Sequence, residues 1–130
     1  NFMMNSEAEE WFSQAKYDYA TAEAMYDSQR YVYVVFMCHL SLEKVFKGLI
    51  VARNKDVPPK THNLLKLAEL SKVELTKEQI EFISILNTAA ISTRYPEMLQ
   101  RAIEKYPSHV AMEYLIKTKE VLSCLQNGPN

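Results

Sequence analysis

The chain has 130 residues, which bounds it to one domain. Its net charge of −1 argues against a strongly basic nucleic-acid binder, while leaving room for a local basic patch. Two glycines are few for a strand-rich fold, whose turns draw on glycine, so helices are favoured before periodicity is considered.

Ser6 and Glu9 make a capping box. Ala8, Trp11, Phe12, Ala15, Tyr19, Ala22 and Met25/Tyr26 then recur at helical spacing, predicting a first helix over about residues 6–29. A second helix is predicted from Tyr31 to about Asn54. Its opening, YVYVVFMCHLSL, is β-branched and apolar nearly all round. Phe36, Leu40, Phe46/Lys47 and Ile50 nevertheless continue one helical register with no turn signal. A helix apolar on every side needs cover from the first, fourth and fifth helices, or from another subunit.

The segment NKDVPPK, 54–60, is the clearest break. Thr61 can cap a short third helix, HNLLKLAEL. Thr76 and Gln79 make a second capping box, opening a fourth helix to about Ser92 with Ile80, Ile83, Leu86/Asn87, Ala90 and Ile91 inward. The stretch from Ile91 to His109 carries Pro96 and Pro107 and reads as a connection rich in cations and aromatics. Ser108 then caps a last helix on which Val110, Tyr114, Thr118, Val121 and Leu125 share a face. The expected architecture is all-α, an antiparallel up-and-down bundle of four main helices plus a short one. Residues 1–130 form one unit with its core over about 6–125.

Cys38 and Cys124 have no CxxC spacing and read as buried free thiols in a reducing compartment. With no signal-peptide pattern and no long uncharged apolar run, a soluble cytoplasmic protein without a membrane segment is expected. No HxxxH, HxxE or CxxC spacing suits a metal, and no glycine-rich phosphate loop or GxSxG elbow occurs, so neither metal nor cofactor is expected. In LEKVFKGL, Glu43 and Lys47 stand at i,i+4 and read as a solvated stripe, with Lys44 turned away. Gly48, unfavourable inside a helix, marks a close helix contact. His62 and His109, each at a helix opening, read as caps or packing groups.

AKYDYATAE (15–23), the aromatic run into LEKVFKGL, the prolines before THNLLKL and the late Arg94-Tyr95-Pro96 follow one another in an order that resembles the HEPN domain family, over about residues 8–125. The matching positions are Asp18, Glu43, Lys44, Lys47, His62, Arg94, Tyr95 and Pro96. The resemblance implies a homodimeric helical bundle, often paired with a minimal nucleotidyltransferase in a toxin–antitoxin-like module. Many members are metal-independent ribonucleases in which an arginine precedes a histidine by roughly four to six intervening residues. That chemistry needs a base at the ribose 2′-OH and a cation at the phosphate.

This chain departs from that spacing, since seven residues separate Arg101 from His109. The implied role is therefore a non-catalytic or weakly active subunit that binds a nucleotidyltransferase partner, a nucleotide or RNA. The alternative is a ribonuclease toxin using a displaced His109 with Arg94 or Arg101. Arg94 itself has two readings, a cap on the carbonyls ending the fourth helix or, with Arg101 and Lys105, a phosphate holder. The candidate ligand set is Arg94, Tyr95, Arg101, Lys105, His109, Lys44 and Lys47.

Overall fold

In the computed structural model, residues 6–54, 57–92, 94–95 and 99–127 are described. Among them are six helices and no strand: α1 (Ser6–Asp27), α2 (Tyr31–Asn54), α3 (Leu64–Ser71), α4 (Lys77–Ser92), α5 (Leu99–Lys105) and α6 (Ser108–Asn127). None of them is long and apolar enough to cross a membrane.

The α1–α2 hairpin is the backbone of the bundle. Ala8, Ala15 and Ala22, seven residues apart and all buried, line the seam of α1 that faces α2. Small side chains at that spacing let the helix axes approach. The Phe12 ring lies so close to Gly48 that a Cβ there would fall 2.6 Å from its Cε1 atom, as the glycine signal predicts. The hairpin turn is a Schellman motif. Arg30 N–H donates to Met25 C=O and Gln29 N–H to Tyr26 C=O, while Gln29 takes a φ of 63°.

The strand-like opening of α2 is helical throughout. Val34, Val35, Cys38, Leu42, Val45, Phe46 and Leu49 are all enclosed by α1, α3, α4 and α6. The cover that α2 demanded is therefore supplied within one chain, and α2 no longer calls for a second subunit. Tyr26 Oη meets Ser108 Oγ at 2.8 Å and Tyr19 Oη donates to Leu115 C=O, fastening α6 antiparallel to α1.

Three local expectations are corrected. Thr61 does not cap α3. Asn63 does, its Oδ1 accepting from Leu65 and Lys66 N–H, while the Thr61 hydroxyl accepts from Asn63 N–H in a turn of its own. Ile80 and Ile91 are exposed, since the inward face of α4 runs instead through Phe82, Ile83, Leu86, Ala89 and Ala90. The stretch from Ile91 to His109 is more than a connection. Between its two prolines LQRAIEK forms α5, a run of good helix formers whose Ala102 is buried. The bundle thus has two short helices rather than one. The Thr76–Gln79 capping box forms as expected, each residue's backbone N–H bonding the other's side chain. Pro96 lies outside the described residues.

Both cysteines are unpaired, but only Cys38 is buried; Cys124 is exposed.

Candidate functional site

Residues 36, 39, 43 and 47 fall on one face of α2 by helical spacing, and there Phe36, His39, Glu43 and Lys47 form a line. Glu43 is its hub. Although only 5% exposed, its Oε2 accepts from Lys47 Nζ at 3.0 Å and stands 2.9 Å from His62 Nδ1. His39 Nδ1 lies 3.8 Å from Glu43 Oε1, too far for a hydrogen bond but close enough for charge to be felt. Lys47 Nζ also sits 5.8 Å from the centre of the Trp11 ring, so the buried ammonium has a carboxylate on one side and a π face on another.

The solvated stripe expected for Glu43 and Lys47 is therefore corrected. Both are buried, because α2 is covered along this face and charges enclosed there must pair. Burial pushes the Glu43 carboxyl up, but the hydrogen bonds from His62 and Lys47 and the Lys47 charge outweigh it and hold it below the ordinary carboxylate range. Burial depresses His39, with Arg94 adding to the effect and Glu43 and Asn87 opposing it. Its imidazole is held neutral at pH 7.

His62 is placed by the start of α3. Asn87 of α4 accepts from Leu64 N–H through Oδ1 at 3.0 Å, fixing the first turn of α3 against the bundle one residue after the Asn63 cap. His62, 60% exposed, then reaches inward to Glu43 and joins α3 to α2.

Arg94 stands in the turn after α4, where its N–H donates to Ile91 C=O. Its guanidinium carbon lies 5.4 Å from the centre of the Phe36 ring, and its charge reaches His39. Arg94 thus sits at the Phe36 end of the α2 face, its charge felt by His39, which in turn lies beside Glu43. Tyr95 follows, 49% exposed.

The remaining candidates are dispersed. Lys44 turns to α1, its Nζ 2.9 Å from Asp18 Oδ2. Arg101 and Lys105 are exposed on α5, Lys105 lying 5.9 Å from the Tyr106 ring centre. His109 is exposed in the first turn of α6. The sequence reading missed Glu43 as a hub, His39 as its neighbour and Asn87 as the tie to α3. The signal that could have found them was an acid and a base set into a helix apolar all round. Among the described residues no group of three or more His, Cys, Asp or Glu could hold a metal ion.

Set against known proteins, the chain matches the HEPN domain over residues 8–127. The crystal structure of TT1696 from Thermus thermophilus is similar at a TM-score of 0.80 and 22% identity, covering 94% of this chain and 98% of that one. At that identity the likeness is one of fold. No curated protein matches the sequence.

Proposed function

The chain belongs to the HEPN domain family, and on that premise we propose that it is a non-catalytic or weakly active subunit holding the phosphates of a nucleotide or RNA at the Arg94 end of α2. The observation that carries this reading is Arg94 itself, an exposed guanidinium set over the Phe36 ring beside the buried Glu43 network. An exposed guanidinium at this position can take phosphate oxygens bidentately. The half-exposed Tyr95 ring offers a surface on which a base can stack. Arg101 and Lys105, exposed on α5, extend the positive charge along the same connection.

Lys44 and Lys47 leave this ligand set, because Asp18 and Glu43 already engage their ammonium groups. The weak or absent activity rests on the departure from ribonuclease spacing: Arg101 and His109 sit on separate helices with Tyr106 and Pro107 between them. A second copy of the chain and a minimal nucleotidyltransferase are the partners that family membership suggests for such a subunit.

The test uses labelled single-stranded RNA and, separately, ATP, in low-salt buffer containing EDTA. Wild-type protein is expected to bind without cleaving, with affinity falling as salt rises. Arg94→Ala with Arg101→Ala is expected to lose at least about tenfold in affinity while helicity and sedimentation stay unchanged. Absence of wild-type binding to both ligands would overturn the reading. RNA cleavage that disappears in His109→Ala would replace it with the ribonuclease alternative.

A further inference from the structure

One recess lies away from Arg94, between α1 and α6. It is a groove of about 840 Å³. Tyr19, Tyr26 and Leu115 form its floor, and Met112 and Ile116, one turn apart and both exposed, form an apolar wall on α6. Its rim carries Glu23, Asp27 and Glu120 against one lysine, Lys119. Lys16 enters only at an adjoining hollow, which shares Tyr19, Glu23 and Lys119 with the groove.

The acidic rim is unfavourable in the chain as it stands. Glu23 and Asp27 are like charges at i,i+4 on α1, an arrangement that weakens a helix. They also occupy the C-terminal end of α1, where the helix dipole is already negative, and the last turn holds no basic residue. Among the described residues none of the three carboxylates makes an ion pair. Features that oppose local stability without internal compensation are the ones expected to be satisfied from outside.

We infer that this groove docks an amphipathic helix of a partner protein, its apolar face on Met112 and Ile116 and its flanking lysines or arginines on Glu23, Asp27 and Glu120. The wall of α6 from Met112 to Cys124 spans roughly 18 Å at 1.5 Å per residue, room for an incoming helix of about three turns. Exposed methionine suits such a surface, since its flexible thioether repacks around differing apolar side chains. The surface is separate from the Arg94 end, so this inference stands or falls apart from the proposed ligand.

The test uses the full chain and two labelled model helices of about fifteen residues, leucine on one face, with lysine flanks in one and glutamate flanks in the other. At low salt the lysine helix is expected to bind at least about tenfold more tightly than the glutamate helix. Glu23→Lys with Asp27→Lys should erase that preference. Ile116→Asp should abolish binding of the lysine helix, while Ile85→Asp, at an exposed position on α4, should leave it intact. Equal binding of the two helices, or binding indifferent to Ile116→Asp, would overturn the inference. So would sedimentation showing that Ile116→Asp splits a dimer, because the groove would then be covered by a second copy. If Ile116→Asp lowers helicity, the charge-reversal pair decides, both of its positions being exposed.

Discussion

His62 and Glu43 meet at 2.9 Å although one is largely exposed and the other is buried, and nineteen positions separate them in the chain. Through this contact the surface at the start of α3 reaches the polar centre of α2.

Removing one member of the Glu43–Lys47 pair leaves the other charged and enclosed. Glu43→Ala is expected to cost about 3–5 kcal/mol in urea unfolding. The double variant Glu43→Leu with Lys47→Met should cost clearly less than the two single changes summed, because no lone charge remains. Strict additivity would show that the two side chains are uncoupled.

Acid should weaken the fold in two steps. His39 is held below its ordinary value of 6.5, so the unfolded chain binds a proton that the folded chain refuses, and stability falls as pH drops below that value. Glu43 is held below its ordinary 4.5, so its contribution is present above that value and is lost as pH falls through its folded pKa. Urea midpoints measured from pH 8 to pH 3 should decline in that order. His39→Leu should remove the first decline and keep the second.

Gly48→Ala sets two effects against each other. The helix gains about 1 kcal/mol in propensity, while a methyl pressed 2.6 Å from the Phe12 ring is overpacked, at a cost of about 1–3 kcal/mol. The expected result is a net loss that Phe12→Leu partly restores in the double variant. Chemical denaturation of the four proteins closes the cycle.

Gln29 occupies a left-handed position that glycine adopts without strain. Gln29→Gly should raise stability by about 1 kcal/mol, read as a higher thermal midpoint. An unchanged or lower midpoint would show that the glutamine side chain contributes elsewhere.

The helices were legible wherever local chemistry decides them. The Thr76–Gln79 box and the α2 register are short-range facts that survive folding unchanged. Two other features depended on relations between distant segments. Thr61 and Asn63 are both capping residues, and Asn63 is the cap because the chain enters α3 where Asn87 can hold Leu64. Helix α5 hides between prolines because a seven-residue pattern is too short to announce a period. At the candidate site, Arg94 was visible as a cation before a Tyr-Pro pair. Its seat over Phe36 and the burial of Glu43 follow from how α2 is wrapped, which no single helix encodes.

The unequal burial of the two thiols has a practical consequence. Cys38 is fully enclosed, and burial, opposed by Thr118, pushes its pKa up to about 12. Native protein should therefore take up one equivalent of a maleimide, at Cys124, while Cys38 reacts only when α2 leaves the bundle. The slow second alkylation then times global opening of the chain under native conditions, with no label added by mutation.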